Sequence, residues 1–287
     1  METLSTIAAA RRRREADRRE GRTVAFVPTM GFLHEGHLAL VRRARKLGEA
    51  VWVSIFVNPT QFGPGEDFER YPRDLERDAA LLEVEGVDVL FAPTVEEMYP
   101  TKPVVQVGFS GLDAVLCGAS RPGHFAGVGL VVARLFNIVE PHVAVFGQKD
   151  AQQALLIRRL VEDLSFPVRI EVAPTVREPD GLAMSSRNAY LSPEERAAAP
   201  VLYRALRAAR AAILAGERDP LAVEALLRGR VESEPLARLD YAACVDRQSL
   251  KRPERIDGPV LLALAAHLGS TRLIDNIPVD PPLEASP

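Results

Sequence analysis

Lysine and cysteine are both scarce in this sequence of 287 residues. The four lysines stand at positions 46, 102, 149 and 251, against 32 arginines, so arginine is the default cation. The two cysteines, Cys117 and Cys244, are too few for a disulfide framework and form no C-x-x-C pair. We expect both to be buried thiols in a reducing compartment, the cytoplasm, and we predict no metal site built by the protein.

Long apolar runs and an excess of charge of one sign are also missing. The longest apolar stretches, 128–139 and 260–268, are shorter than the roughly 20 residues of a membrane span. Thirty-six basic residues against 39 acidic ones leave a net charge of -3, which offers no general positive field to a nucleic acid. With 47% hydrophobic residues the chain is predicted to fold as a soluble protein that binds neither membrane nor nucleic acid.

A run of four arginines at 11–14 is followed by acids at 15, 17 and 20. Transit peptides avoid acids, so this is not a targeting segment. The i,i+4 spacing of Arg11 with Glu15, Arg13 with Asp17, and Glu15 with Arg19 predicts a helix whose charged face is solvated.

Short β-branched runs alternate with helical patterns between residues 23 and 174, which is typical of βαβ units. The predicted strands are 24–27, 51–57, 87–91, 143–146 and 168–172, and the predicted helices are 38–47, 73–85, 125–139 and 151–164. This pattern predicts an α/β fold, with a Rossmann-like, mostly parallel sheet and helices on both faces, in a first domain of residues 1–174.

Residues 175–287 have a different sequence pattern, which predicts a smaller α+β domain. Ser192, Pro193 and Glu195 form a capping box, and Asp219-Pro220 opens another helix. An apolar helical stripe (Leu202, Leu206, Ala209, Ile213) is followed by predicted strands around 239–245, 260–268 and 272–277. Because ligands favour clefts between domains, we expect a binding cleft near residues 174–190.

Two histidines surround a glycine where the first strand gives way to a helix, in the segment Met30-Gly31-Phe32-Leu33-His34-Glu35-Gly36-His37. Helix N-termini favour phosphate, and both imidazoles can donate hydrogen bonds to its oxygens. Gly36 permits close approach of a nucleotide. The same residues would also suit turn geometry and helix capping. As a zinc site, two histidines without a third ligand are weak.

Two further segments follow strand ends on the same predicted sheet edge. Asn58 and Gln61 are neutral hydrogen-bonding groups that can hold a substrate without neutralising a nucleophilic carboxylate. Gly147-Gln148-Lys149-Asp150 brings one of the rare lysines to a strand-to-helix junction, where an ammonium suits charge on a phosphate. Gln153 stands one turn into the next helix. Read singly, these residues also fit an Asn-Pro turn and a surface lysine.

A fourth segment, Met184-Ser185-Ser186-Arg187-Asn188, has two hydroxyls before a guanidinium, a combination that can wrap a nucleotide's phosphates. Together the four segments closely resemble the pantoate:β-alanine ligase family of the nucleotidyltransferase superfamily, which carries H-x-G-H and K-M-S-K-S-like sequences. The resemblance covers about residues 24–188, and 116–118 and 121–125 also look like the family.

The resemblance implies a two-step ligation that uses ATP and Mg²⁺. Pantoate attacks the α-phosphate of ATP to give pantoyl adenylate and pyrophosphate, and the amine of β-alanine then displaces AMP. The implied partners are these small molecules and, for the protein itself, a second copy in a homodimer. The smaller domain is expected to close over the ATP site.

Residue by residue, the resemblance implies catalytic roles for His34, His37 and Lys149, with His37 at the position usually labelled the proton donor. Gln61 is expected to meet both pantoate and β-alanine, Gln153 to bind pantoate, and Asn58 to lie beside them. The ATP contacts implied are Met30, Gly31, Phe32, Leu33, His34, Glu35, Gly36, His37, Gly147, Gln148, Lys149, Asp150, Val176, Met184, Ser185, Ser186 and Arg187. The family usually has Lys at Gln148, so positive charge is lower here.

Two kinds of rival remain at the level of sequence. One is another enzyme of the same superfamily, such as a cytidylyl- or adenylyltransferase or a small aminoacyl-tRNA-synthetase-like protein. The other is a nucleotide-binding regulatory protein without turnover. The C-terminal part is not notably basic, which disfavours a tRNA ligand, and intact His34, His37, Lys149 and Arg187 disfavour a protein that has lost its chemistry.

Overall fold

A computed structural model describes residues 1–282, which separate into two compact units. Unit 1 consists of Met1–Asp113, Arg121–Gln148 and Gln152–Val176, and unit 2 of Ala114–Ser120, Lys149–Ala151 and the described residues from 177 to 282. The two short insertions of unit 2 are not visible in the sequence pattern, which places one boundary after residue 174. Lys149 and Asp150 therefore belong to unit 2, although they directly follow a strand of unit 1.

Unit 1 is built on a six-stranded parallel sheet. Its strands are β1 (Glu2–Leu4), β2 (Val24–Thr29), β3 (Ala50–Ile55), β4 (Val89–Phe91), β5 (Val143–Gly147) and β6 (Arg169–Ala173). The order across the sheet is β1-β4-β3-β2-β5-β6. All five predicted strands are present, with ends shifted by one or two residues, and the predicted fold class is confirmed. The short edge strand β1 is an addition.

The α-helices of residues 1–282 are α1 (Ile7–Arg19), α2 (Glu35–Arg45), α3 (Leu75–Val84), α4 (Val95–Met98), α5 (Cys117–Ser120), α6 (His124–Val139), α7 (Ala151–Asp163), α8 (Pro193–Ala198), α9 (Val201–Leu214) and α10 (Pro220–Glu232). On one face of the parallel sheet, Val41 of α2 packs in a core cluster with Val27 and Val53. Trp52 points to the opposite face because side chains alternate along a strand, and there it meets α1.

Helix α1 has the solvated charged face that its sequence predicts, and it also has a buried face that carries charge. Asp17 is fully buried and accepts hydrogen bonds from the indole N–H of Trp52 at 2.9 Å and from Arg13 at 2.6 Å. Arg14 is buried as well and donates to the backbone oxygen of Glu140 at 3.1 Å. Arg11, Glu15 and Arg19 are exposed and Glu15 pairs with Arg19, so a solvated face is confirmed. The prediction was wrong only for the i,i+4 pair of Arg13 and Asp17, which forms on the buried face. A buried indole needs an acceptor, and Asp17 supplies it.

Unit 2 contains a three-stranded antiparallel sheet in the order β7-β8-β9. Its strands are β7 (Ala237–Asp246), β8 (Val260–Leu268) and β9 (Thr271–Val279). Leu202, Leu206, Ala209 and Ile213 of α9 are buried in its core cluster, as the apolar stripe predicts. The predicted capping box is present: the Ser192 hydroxyl accepts the Glu195 N–H, and the Glu195 carboxylate accepts the Ser192 N–H.

Both cysteines are buried and unbridged, as the sequence predicts. Burial raises the pKa of the Cys244 thiol to about 12, so this thiol is protonated and unreactive. In the described part of the chain, no helix combines the length and the apolar character that crossing a bilayer requires.

Candidate functional site

The topology of the parallel sheet places three of the predicted segments side by side. Strand β2 has β3 on one side and β5 on the other, so the chain's winding direction reverses between β2 and β5. Ligands of open parallel sheets bind at the carboxyl ends of strands at such a reversal. Segment 30–37 follows β2, Asn58 and Gln61 follow β3, and Gly147 ends β5.

A buried carboxylate shapes the loop that follows β2. Asp78 of α3 is 1% exposed, and its two oxygens accept the backbone N–H groups of Phe32 at 2.6 Å and Leu33 at 2.8 Å. Burial raises the pKa of Asp78, and the two backbone N–H groups act against that rise. Gly31 has a φ of +82°, and a Cβ there would lie 2.9 Å from Ile55. This loop therefore depends on glycine and on a residue 45 positions downstream of Leu33.

His34 and His37 cap helix α2 reciprocally. The Nδ1 atom of His34 accepts the Gly36 N–H at 3.1 Å, and Nδ1 of His37 accepts the His34 N–H at 3.3 Å. The ring centroids are 4.1 Å apart. A neutral imidazole that accepts through Nδ1 carries its proton on Nε2. The capping alternative is confirmed and uses Nδ1 of each ring, whereas phosphate binding through Nε2 stays a prediction.

Glu35 shares this helix start but turns its carboxylate away. It is exposed and forms an ion pair with Arg42, seven residues along the same helix. Only the main chain of Glu35 thus remains available to a phosphate at the helix N-terminus.

Asn58 is buried and holds the side chain of Gln61 in place. Asn58 is 1% exposed, and its Nδ2 donates to Gln61 Oε1 at 3.0 Å and to the Gly127 carbonyl at 3.2 Å. Its Oδ1 accepts from the Tyr99 hydroxyl at 3.1 Å, and from Thr60. Both ends of the Asn58 amide thus form hydrogen bonds within the protein. Its direct contact with substrate stays a prediction, and the geometry places it behind Gln61.

Gln61 links the second segment to the first. Its Nε2 lies 3.1 Å from the sulfur of Met30, within the donor range for a thioether. The backbone oxygen of Gln61 is contacted by His124 Nδ1 at 2.8 Å, and Arg121 lies beside it. Arg121 is in turn held by Glu66, and its guanidinium lowers the pKa of that carboxyl against the effect of burial.

The sequence does not single out these supporting residues for roles of their own. None of the four sequence segments contains Asp78, Tyr99 or Glu66. His124 and Arg121 stand in a stretch quoted only for its resemblance to the family. The available signal was Gly123-His124 at the start of a long apolar helix, which is an unusual place for a polar ring.

The third segment is divided between the units. Gly147 has no atom within 4 Å of the position that a Cβ would take, so its backbone is open to close approach. Gln153 is half-buried on the first turn of α7, while its neighbour Gln152 is buried and donates to the Leu112 carbonyl at 2.8 Å. Val176 is half-buried at the end of unit 1.

Lys149 lies in unit 2, where its ammonium is 3.7 Å from the Asp150 carboxylate. Its backbone oxygen accepts a 2.8 Å hydrogen bond from the side-chain amide of Asn276 on β9. The Lys149 side chain is 21% exposed.

The fourth segment also lies in unit 2 and forms a short 3₁₀ helix, Ser186–Tyr190. The Ser185 hydroxyl caps it by accepting the Arg187 N–H at 3.3 Å. Asn188 donates to the Ala183 carbonyl at 3.1 Å. Met184 and Arg187 are half-buried and Ser186 is buried. Within residues 1–282, no group of three or more His, Cys, Asp or Glu side chains is arranged to hold a metal ion.

Comparison with known proteins gives the family. A family model described as pantoate-beta-alanine ligase matches residues 2–278. The pantothenate synthetase of Moorella thermoacetica is 57% identical over 277 residues, which cover 96% of this chain and 98% of that protein. That of Heliobacterium modesticaldum is 58% identical over 262 residues, which cover 91% and 93%.

Solved structures agree with the sequence relatives. The pantothenate synthetase from Thermus thermophilus has a TM-score of 0.92 at 51% identity, with coverage of 98% of this chain and 100% of that one. The pantoate-beta-alanine ligase from Francisella tularensis, complexed with beta-gamma ATP and beta-alanine, has a TM-score of 0.80 at 33% identity and coverage of 96% and 97%.

Proposed function

The chain belongs to the pantoate-beta-alanine ligase family and is an enzyme, and from that premise we propose that it joins (R)-pantoate to β-alanine through a pantoyl adenylate. One observation carries the proposal. Gln61 has a neutral amide suited to a carboxylate substrate, and its Nε2 lies 3.1 Å from the sulfur of Met30. Met30 begins segment 30–37, which is proposed to bind phosphate, and both residues follow neighbouring strands of the parallel sheet. An acid and a nucleotide phosphate held by these two groups would be neighbours, as adenylation requires.

In the first step, a carboxylate oxygen of pantoate bonds to the α-phosphorus of ATP. The bond from that phosphorus to the bridging oxygen breaks, and pyrophosphate leaves with the electron pair. Gln61 and Gln153 hold pantoate through neutral amides, so the nucleophile keeps its charge. The Nε2–H groups of His34 and His37 donate to phosphate oxygens, and Lys149 stabilises charge that grows on the phosphates.

The proposed role of the histidines is electrostatic. Each Nδ1 already accepts a backbone N–H, so the proton on Nε2 is held in place by the helix cap. A fixed N–H donor stabilises a phosphate oxygen without giving up its proton. His37, which stands at the position usually labelled the proton donor, is therefore proposed to donate a hydrogen bond and to keep its proton.

In the second step, the neutral amine of β-alanine attacks the acyl carbon of pantoyl adenylate. The carbon–oxygen bond to AMP breaks, AMP leaves with that electron pair, and the amine nitrogen loses a proton to solvent. No covalent bond to the protein forms in either step. The chain contributes by holding the amine and the acyl carbon together, and the Gln61 amide is the group proposed to meet both acids.

ATP is proposed to contact segment 30–37, Gly147 and Gln148 in unit 1, and Lys149, Asp150 and Met184–Arg187 in unit 2. Mg²⁺ is proposed to enter with ATP and to be coordinated mainly by phosphate oxygens and water, as is usual for this ion. Gln148 leaves Lys149 as the single lysine of its segment. Homodimer formation, a cytoplasmic location and closure of unit 2 over ATP stay predictions.

The test is isotope exchange between ATP and pyrophosphate in the presence of pantoate, followed by AMP release when β-alanine is added. Exchange that needs pantoate but not β-alanine, with AMP release only after β-alanine, supports the proposal. Lactate in place of pantoate is the control for acid specificity. Exchange with no acid, or with a nucleoside monophosphate only, would favour a nucleotidyltransferase, and nucleotide binding without exchange would favour a regulatory protein.

A further inference from the structure

A buried ion pair in unit 2 lies outside all four sequence segments. Asp275 of β9 is 3% exposed, and its two oxygens accept from Arg177 at 2.6 and 2.9 Å in a bidentate geometry. The Asp275 carboxylate also accepts the backbone N–H of Asn276 at 2.7 Å. Burial raises the pKa of Asp275, and Arg177 is the main group that opposes the rise.

This ion pair leads directly to Lys149. Asn276, the next residue along β9, is 5% exposed and donates its side-chain amide to the Lys149 backbone oxygen at 2.8 Å. The guanidinium of Arg177 also contacts the Asn276 carbonyl at 3.4 Å. Both ends of the Asn276 backbone are thus held by the ion pair, and its side chain holds the main chain of the proposed phosphate-facing lysine.

Arg177 also contacts the residues that lead into the fourth segment. Arg177 donates to the Gly181 carbonyl at 3.0 Å and lies 3.9 Å above the ring of Tyr203. Arg177 also pairs with Ala183 in an isolated antiparallel bridge, immediately before Met184. A single guanidinium therefore connects β9 to the turn from which Met184–Arg187 emerges.

Stability alone is a weak reason for such an arrangement. Replacing a buried ion pair by apolar residues of similar volume is often neutral or stabilising, because burial of the charges costs as much as their attraction returns. What an ion pair does supply is direction, since a bidentate Arg–carboxylate pair fixes two planes relative to each other. Here the Arg177–Asp275 pair fixes the positions of the main chain at Lys149 and of the main chain just before Met184.

We propose that Asn276, held by the Arg177–Asp275 pair, is a positioning residue that sets the place of Lys149 during adenylation. This inference rests on the proposed function, because it assigns Lys149 to the ATP phosphates. Asn276 touches the main chain of Lys149 and acts through it. Loss of the amide donor leaves the lysine charge present but displaced, which weakens its contact with the ATP phosphates in the bound state and weakens it more in the transition state.

The test is a double-mutant cycle between Asn276→Ala and Lys149→Ala, measured by pantoate-dependent ATP–pyrophosphate exchange. Asn276→Ala is expected to lower kcat by about tenfold while the KM for pantoate stays within about twofold, since the pantoate groups lie in unit 1. In the Lys149→Ala background the same change is expected to have a much smaller effect, because the lysine side chain that Asn276 positions has been removed. A purely structural role would give additive losses and overturn the proposal.

Asn276→Asp provides a second variant of nearly the same shape. Its carboxylate cannot donate and would face the Lys149 carbonyl, so kcat is expected to fall at least as far as in Asn276→Ala. The matched control is Asp246→Ala, which removes bonds to Ser249 and Gln248 in a turn of unit 2. It is expected to lower the melting temperature but leave kcat unchanged. Wild-type kcat in both Asn276 variants would overturn the proposal.

A separate readout distinguishes failure of this inference from failure of the proposed function. If the wild-type protein shows no exchange with pantoate, the proposed function is wrong, and the cycle is measured instead by calorimetry with a non-hydrolysable ATP analogue. Weaker binding in each single variant, with a much smaller further loss in the double variant, supports positioning of Lys149. Unchanged affinity in Asn276→Ala, or additive losses, overturns it. The same calorimetric cycle applies if Lys149→Ala has too little activity to measure.

Discussion

The Nδ1 atom of His37 accepts the backbone N–H of His34 at 3.3 Å, so the structural role of this ring can be tested apart from its proposed chemical role. A glutamine at position 37 can accept the same N–H, as Gln does at this point of a capping box, but it places no imidazole Nε2–H toward a phosphate. An asparagine at position 34 is likewise a good N-cap.

We therefore expect His34→Asn and His37→Gln to keep the free energy of unfolding within about 0.5 kcal/mol of wild type, while pantoate-dependent exchange falls about 100-fold. His34→Ala and His37→Ala are the controls and should lose about 1 kcal/mol of stability in addition. Denaturant unfolding and exchange assays measure the two effects. Near-normal exchange in the capping-competent variants would show that the rings serve only to cap the helix.

Asn58→Ala should damage the site through Gln61. The change removes the donor to Gln61 Oε1 and one acceptor of the half-buried Tyr99 hydroxyl, so we expect a loss of about 2 kcal/mol in unfolding free energy. We also expect the KM values for pantoate and β-alanine to rise. Tyr99→Phe removes one of these bonds only and should have a smaller effect on both. If Asn58→Ala raises the KM for ATP alone, Gln61 is not the group that it positions.

Gln61→Glu tests the neutrality of the amide directly. A carboxylate can still accept from the Asn58 amide, so the side chain should stay in place, but it repels the carboxylates of both substrates. The KM values for pantoate and β-alanine should rise about tenfold or more, with little change for ATP. Steady-state kinetics with each substrate varied in turn measure this. Equal changes for all three substrates would contradict the assignment.

Gly127→Ala should be far more harmful than a helical Gly→Ala substitution normally is. A Cβ on Gly127 would lie 2.2 Å from the Thr60 carbonyl oxygen, so α6 and the 3₁₀ turn Pro59–Gln61 cannot both stay in place. We expect a loss of about 3 kcal/mol in stability and a rise in the KM for pantoate. Gly229→Ala is the control, because nothing lies within 4 Å of its Cβ position in helix α10, and it should be stabilising by about 0.5–1 kcal/mol.

His142 should make stability fall in mild acid. Its Nδ1 accepts the Val24 N–H at 2.8 Å, and its pKa lies below the ordinary value because of desolvation and then of nearby Arg14. The unfolded chain therefore takes up a proton at higher pH than the folded one. The contribution of neutral His142 is complete above about pH 6.5 and is lost as pH falls through the lower, folded-state pKa.

His142→Asn keeps an acceptor for Val24 and does not titrate, so its free energy of unfolding should fall less than that of wild type between about pH 7.5 and about pH 5. Denaturant unfolding at several pH values measures the difference. His267, whose pKa is also lowered mainly by desolvation, offers a comparison, and His267→Asn should remove a share of the same slope. A curve for His142→Asn that runs parallel to the wild-type curve would contradict the prediction.

Much of the fold can be read from local patterns, as particular elements show. β-branched runs bounded by Gly or Pro locate β2, β3, β4, β5 and β6 because buried parallel strands need continuous apolar sequence. Strand β1, with only three residues, is too short for such a pattern. The helix and the exposed pair of Glu15 and Arg19 were predicted correctly, but the burial of Asp17 was missed. Charge spacing reports which residues can pair along a helix and says nothing about what the helix packs against.

The sequence by itself determined the chemistry available: two imidazoles at a helix start, two neutral amides after strands, a rare lysine and a hydroxyl–guanidinium segment. These are local facts, because spacing along the chain decides them. Only the tertiary structure decided how each group is held: Asp78 on the loop of Leu33, Asn58 behind Gln61, and Asn276 on Lys149. Two of these supports join residues 45 or more positions apart in the chain, where no periodicity links donor and acceptor, so only the folded structure brings them together.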